Sequence, residues 1–233
     1  MNQHSKCDSA ISIVIPVLDD FQHLTELLHD LRATDGADEI VVVDGGDDAR
    51  CASLAKRNQC VYLRTRAGRG HQLHAGAERA NGDVIWFLHA DARPPTSALE
   101  SIRREIAGGA IGGYFQFRFL GRLTWYKRLL AWFINIRARV GVPYGDQGLF
   151  FRRFDYVALG GFPDAPLFEE VSLVKAARRH GRFVRIAAPI GVSSRRWEQD
   201  GWVRHTLENR LLALGYMLGI SSQTLAARYR QKC

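Results

Sequence analysis

Residues 86–91 read Trp86-Phe87-Leu88-His89-Ala90-Asp91, an apolar stretch that stops abruptly at a carboxylate. An apolar run bounded by turn residues reads as a strand buried on both faces. A carboxylate at the end of such a strand sits at the rim of the sheet, where open α/β folds bind their ligands. Two other runs end the same way: Ile11 to Val17 is followed by Asp19 and Asp20, and Glu39 to Val43 by Asp44. Three strands that bring carboxylates to one edge predict a site for a metal ion and a nucleotide.

The segments between these runs alternate in type. Leu24, Leu27, Leu28 and Leu31 recur at helical spacing, and a second helical run covers Ala49 to Asn58. Cys60 to Leu63 reads as a short strand, Gly68-Arg69-Gly70 opens a helix, a strand runs to His89, and Pro94-Pro95 starts a helix reaching Ala107. Strands alternating with helices predict an α/β fold with a mainly parallel sheet and right-handed crossovers. Beyond this point the pattern changes. Phe115, Phe117 and Phe119 alternate with polar residues as in a strand with one wetter face. Trp125 to Val140 is an amphipathic basic helix, Leu149 to Arg152 a strand, Glu169 to His180 a helix, Phe183 to Ala187 a strand, and Gly201 to Leu218 an apolar-rich helix with a basic face. With no repeat or long linker, one domain is expected. Its parts are a nucleotide-binding half over about 11–107, an acceptor and catalytic half over about 108–200 with a smaller antiparallel portion, and a C-terminal helical region over about 201–233.

The chain has 233 residues, of which 46% are hydrophobic, enough for an ordinary core. No run of about 18 uncharged apolar residues is present, so no membrane-spanning helix is expected. Met1 to Ala10 is polar and lacks the apolar core of a secretion signal. Cys7, Cys51, Cys60 and Cys233 form no C-x-x-C pair and read as free thiols of a cytoplasmic protein. The formal charge of +8 attracts anions, whether nucleic acid, acidic lipid or a phosphorylated substrate.

Asp91 leads the candidates for chemistry. A divalent ion bridging two phosphates takes hard oxygen ligands, and it neutralises charge on a departing nucleoside diphosphate. His89, two residues earlier on the strand, points to the same face and is a second ligand or a phosphate contact. The competing reading makes Asp91 the N-cap of the next helix; the equivalent placement of Asp44 and Asp19/Asp20 favours the functional one. Asp44 is a base or ribose acceptor, or simply a turn former before Gly45. Arg66 to His71 is a glycine-rich basic loop in which Arg69 is placed to grip a phosphate, although G-x-G alone is a common pattern. Glu169 and Glu170 suit the dipole of a helix first turn or supply a general base. Their side chains diverge by about 100°, so one of the two is expected to face the site. Tyr144 to Gln147 reads as an acceptor-orienting turn or an ordinary one. Arg195-Arg196-Trp197 reads as a surface cation–π stack or a diphosphate contact.

In this order, Ile15 to Asp20, Val41 to Gly46, Gly82 to Asp91, Phe151 to Arg153, Gly160-Gly161-Phe162 and Glu169-Glu170 resemble the family 2 glycosyltransferases of GT-A fold, over about Ser12 to Trp197. His89-Ala90-Asp91, Tyr144 to Gln147 and Arg195 to Glu198 resemble the bacterial radical-SAM/selenodomain-associated "transferase 2" subgroup. The resemblance implies a Rossmann-like sheet flanked by helices and an inverting transfer from a nucleotide sugar, typically UDP-linked, with Mg2+ or Mn2+. It implies metal ligation at Asp91 with His89, and nucleotide contacts at Pro16, Asp20, Asp44, Arg69, Ala90 and Arg196. It further implies acceptor contacts at Asp146, Gln147 and Trp197, and catalysis at Glu170 with Glu169 beside it. The chain departs from the family pattern where His89 replaces the first Asp of D-x-D, Glu170 replaces Asp, and Ser193 stands in place of the Gln of Q-x-x-R-W.

The reaction expected is a single displacement onto a hydroxyl of a small-molecule or lipid-linked acceptor. Peripheral contact at the inner face of a membrane is compatible with it; nucleic acid is not expected as a partner. The competing readings are a nucleotidyltransferase of similar core, which would release pyrophosphate, and a non-catalytic basic protein docking on lipid or nucleic acid through the helix Trp125 to Val140.

Overall fold

The computed structural model describes residues 9–33 and 37–230; Cys7 and Cys233 lie outside them. Central strands form where the sequence is continuously apolar: β1 (Ile11–Val17), β2 (Glu39–Asp44) and β4 (Val84–Phe87). β1 pairs in parallel with β2 and β4, and β2 with β3 (Val61–Arg64). Side chains alternate between the two faces of this sheet. Ile13, Ile15 and Trp86 enter one apolar core, and Val14, Ile85 and Phe87 the other. Three helices cross between these strands: α1 (Phe21–Arg32), α2 (Ala49–Arg57) and α3 (Arg69–Arg79). α1 buries Leu24, Leu27, Leu28 and Leu31, the face its spacing predicts. α3 lies so close to the sheet that a Cβ at Gly76 would come within 2.8 Å of Val43 Cγ2, so this position requires glycine.

The second half adds β5 (Ala92–Arg93), β6 (Gly112–Phe119), β7 (Phe150–Arg152) and β8 (Phe183–Val192) to the same sheet, in the order β3-β2-β1-β4-β7-β6-β8-β5. β7 runs antiparallel to β4 and β6, while β6 and β8 are parallel. The antiparallel portion is therefore one strand wedged into a continuous sheet, plus the short β5. β8 is five residues longer than Phe183 to Ala187, because a bulge opposite Phe115 and Gln116 lets the strand resume at Pro189. The remaining helices are α4 (Ala98–Ala107), α5 (Trp125–Val140), α6 (Arg153–Ala158), α7 (Glu169–His180), α8 (Arg195–Asp200), α9 (Trp202–Met217) and α10 (Ser222–Arg230).

Two expectations need correction here. The strand carrying Trp86 ends at Phe87, so His89 belongs to the following turn, in which the Ala92 amide donates to the His89 carbonyl at 3.0 Å. The helix expected from Pro94 starts at Ala98 with Ser97 as its N-cap, so Asp91 does not cap it. Among the described residues no helix is long and apolar enough to cross a membrane, and Cys51 and Cys60 are free thiols.

Candidate active site

Because β1, β2 and β4 are parallel, their C-terminal ends open onto one edge. Asp44 closes β2 opposite Val17 and is buried. Its Oδ1 accepts the Gly46 amide at 2.8 Å, which makes the expected turn. Its Oδ2 accepts the Tyr62 hydroxyl at 3.0 Å from β3. Burial and this bond to a carboxylate push the Tyr62 phenol up to about 12, so it remains a donor. Asp19 adopts the left-handed backbone region at φ 51°. A Cβ added at Gly46 would lie 2.6 Å from Asp19 Oδ1 and 3.4 Å from Asp44 Oδ1, so carboxylates from two strand ends meet over one glycine. Asp20 makes no capping bond at the start of α1. It pairs with His23 Nδ1 at 2.6 Å and lies 3.7 Å from Arg195 of α8. Pro16 lies on β1 opposite Val43, and Ala90 is buried in the turn after β4.

Two residues that sequence reasoning missed hold this edge together. Gln72 reaches from α3, and its Nε2 donates to the carbonyls of Val17 at 2.8 Å and Val43 at 2.9 Å. It thereby links the two strand-end carbonyls, and at Val17 it adds to the backbone bond from the Gly45 amide at 3.0 Å. The available signal is an amide on the inner face of α3, one residue before buried Leu73. Tyr62 has no comparable signal, since its aim at Asp44 depends on the pairing of β2 with β3.

The other wall comes from the second half. Phe168, in the left-handed region at φ 59°, leads into α7, whose first two residues, Glu169 and Glu170, are both buried. Glu169 pairs with Arg69 at the start of α3 through both of its oxygens, with Arg69 Nη2 3.2 Å from Oε2. Burial and the Glu169 charge push the Glu170 carboxyl up to about 7, against the pull of Arg69. Its Oε2 is buried and has no hydrogen-bond partner. Both acids thus lie within electrostatic reach of Arg69, in the first turn of α7.

Asp146 lies in the single 3-10 turn Gly145–Gln147. Burial raises its carboxyl, the Arg137 and Arg69 charges oppose this, and Asp91 adds repulsion. Its Oδ1 is buried and unpartnered. Arg137, from α5, stacks over Tyr144 at 3.6 Å. Gln147 is wholly buried, and its Nε2 donates to the Phe115 carbonyl at 3.2 Å. Trp197 packs against Phe119 at 5.1 Å and His205 at 4.7 Å. Arg196, on α8, is near enough for its charge to act on His89.

Burial, Arg69 and Arg196 push His89 down to about 3, so its ring is neutral, and its Nε2 is buried without a partner. A neutral imidazole nitrogen and the Asp91 carboxylate two residues on form a donor set that fits a divalent ion. Among the described residues no group of three or more His, Cys, Asp or Glu side chains could hold a metal. A divalent ion held by these two residues would take its other ligands from water or phosphate oxygens.

A mostly parallel sheet with carboxylates following its strand ends, and a buried Glu pair at the start of helix α7, has the architecture of a GT-A fold. The chain belongs to glycosyl transferase family 2, whose family model matches residues 12–158. It is 27% identical over 216 residues to the undecaprenyl-phosphate 4-deoxy-4-formamido-L-arabinose transferase of Pseudomonas paraeruginosa (strain DSM 24068 / PA7), covering 86% of this chain and 56% of that protein. The chain spans about half the length of the curated relatives it matches. Among solved structures it is similar to S. aureus TarS, with a TM-score of 0.63 and 15% identity over 79% of this chain and 36% of that one. It is also similar to glucosyl-3-phosphoglycerate synthase from Mycobacterium tuberculosis in complex with Mn2+, UDP and glucosyl-3-phosphoglycerate. There the TM-score is 0.57, with 18% identity over 79% of this chain and 71% of that one.

Proposed function

We propose that the protein is an inverting glycosyltransferase that moves a sugar from a nucleotide-sugar donor to an acceptor hydroxyl by single displacement. The observation that carries this reading is Glu170: a buried carboxyl pushed up to about 7, with an unpartnered oxygen, in electrostatic reach of Arg69 and Asp146. A general base works best with a pKa near the operating pH. Asp44 receives the base or ribose of the nucleotide, with Pro16, Asp20 and Ala90 along the same rim. Arg69 and Arg196 add positive charge toward the diphosphate. Asp91 and His89 hold Mg2+ or Mn2+, which when bound stabilises the charge of the leaving diphosphate. Asp146 and Gln147 flank the acceptor side, with Trp197 behind them. Glu170 takes the hydroxyl proton as that oxygen attacks the anomeric carbon from the face opposite the nucleotide. UDP bound with Mn2+ in the Mycobacterium tuberculosis structure supports a UDP-linked donor. The Pseudomonas relative's name supports a lipid-linked acceptor.

The test is a panel of nucleotide sugars offered to the full chain with Mn2+. Donor binding is read as thermal stabilisation, and turnover as release of nucleoside diphosphate. Asp91→Asn should abolish turnover, and Glu170→Gln should cut it by about 10²–10⁴. Full turnover in both variants, or release of pyrophosphate by the wild type, would overturn the reading.

A further inference from the structure

We propose that the face built by α5 and α9 docks this protein on the surface of an anionic lipid bilayer. On α5 the residues Trp125, Leu129, Trp132, Ile136 and Val140 recur at steps of three and four, and all are exposed, Trp125 to 75% and Trp132 to 56%. On α9 the residues Val203, Leu207, Leu211 and Leu214, continued by Leu218 at its C-cap, repeat in the same way, with Val203 exposed to 82%. A helix packed on a protein core turns such a stripe inward. Here two neighbouring helices both turn it outward, and contiguous exposed apolar surface marks an interaction site.

The charges around the stripes identify the occupant. From Ile106 to Gly145 the chain has no acidic residue. A groove of about 380 Å³ between α5 and strands β6 and β8 contains Arg118, Arg128, Arg139 and Arg185 and no carboxylate. On the other side of α5, a groove of about 370 Å³ against α9 is walled by Leu129, Leu130, Phe133, Trp202 and Leu207. Its one charged wall residue is Arg210, whose guanidinium lies 5.9 Å from the Phe133 ring centroid. An apolar slot beside a cationic one matches acyl chains beside lipid phosphates. Exposed Trp side chains suit the same depth, since their rings favour the headgroup boundary. A second copy of the chain meeting this face symmetrically would set arginines against arginines. A free phosphate would leave the apolar stripes uncovered. Because no described helix can span a bilayer, the face would lie in the headgroup region.

The placement also connects to the site. Tyr216, near the end of α9, packs on Phe168 at 4.7 Å, and Phe168 directly precedes Glu169 and Glu170. A docked protein would hold its carboxylates beside the membrane surface, within reach of a lipid-borne acceptor. The docking itself does not rest on the sugar-transfer reading.

The experiment is co-sedimentation of the full chain with two kinds of vesicle, without nucleotide sugar. One kind is phosphatidylcholine alone, the other phosphatidylcholine mixed equally with phosphatidylglycerol. Binding is expected to the mixed vesicles, to weaken steeply with salt, and to be at least tenfold weaker on phosphatidylcholine, as an order-of-magnitude expectation. Arg128→Gln combined with Arg139→Gln should lose about fivefold per charge at low salt. Trp132→Ser and Leu211→Ser should lose binding at every salt concentration while keeping the wild-type melting temperature. Equal binding to both kinds of vesicle, or unchanged binding in the variants, would overturn the proposal. So would a wild-type dimer that Leu129→Ser and Leu211→Ser convert to monomer, since a second copy would then be the occupant. Because lipid binding is read without a donor, its failure and a failure of sugar transfer are separate results.

Discussion

Arg69 and Glu169 form an ion pair across a hundred residues of chain, tying the start of α3 to the first turn of α7. Glu169 is almost wholly buried, whereas Arg69 keeps about a third of its side chain in solvent. The pair joins the two walls of the site and sets the field in which Glu170 titrates.

Arg69→Met leaves the Glu169 carboxylate buried beside Glu170 without its cation. The expected cost is about 2 kcal/mol, below that of a fully buried pair because solvent screens the Arg69 side. Urea denaturation of Arg69→Met, Glu169→Gln and the double variant checks this. The double variant should recover most of the loss, since it removes the stranded charge as well as the pair.

Glu170 gives opposite predictions for activity and stability. As a base it works only when deprotonated, so turnover should rise through about pH 7 and then level off. For stability, the folded-state value lies above the ordinary 4.5. Its contribution is therefore complete below about pH 4.5 and is lost as pH rises through about 7. Glu170→Gln should cut turnover by about 10²–10⁴ while raising stability at about pH 8 by up to about 3 kcal/mol. A pH–rate profile and melting curves of both proteins at about pH 5 and pH 8 measure the two effects.

Asp91→Asn should weaken Mn2+ binding in the presence of a nucleoside diphosphate by at least about tenfold, because a neutral amide is a poorer ligand for a hard cation than a carboxylate. Titration of the free-Mn2+ spin-resonance signal measures it. Chelation of the metal should abolish turnover in the wild type.

Gln72→Leu removes the two side-chain hydrogen bonds that join the Val17 and Val43 carbonyls at the ends of two buried strands, while Val17 keeps the Gly45 amide. The expected loss is about 1–3 kcal/mol, for two hydrogen bonds of about 0.5–1.5 kcal/mol each. Nucleotide affinity should fall as well, because Asp19 and Asp44 follow those strand ends. Denaturation and calorimetric titration with a nucleoside diphosphate separate the two effects.

Much of the nucleotide-side architecture is legible in the chain. β1 has the predicted bounds, and α1 buries the leucines its spacing indicates, because continuous apolar runs and helical repeats are local patterns. His89 was misread as a strand residue because the apolar run continues past Phe87, whereas pairing with β1 ends there. The placement of Tyr62 on Asp44 follows from strand register, which a single strand does not encode.

The sequence by itself determined that three neighbouring parallel strands would each lead to a carboxylate at or shortly after its end, since apolar runs that stop at Asp can be buried in few other ways. Only the tertiary structure decided that Glu169 and Glu170 are both buried in the field of Arg69, that Arg69 is committed to one of them, and that the stripes of α5 and α9 face outward. Periodicity shows that a helix has an apolar side. Which way that side turns depends on the surfaces that distant segments have already filled.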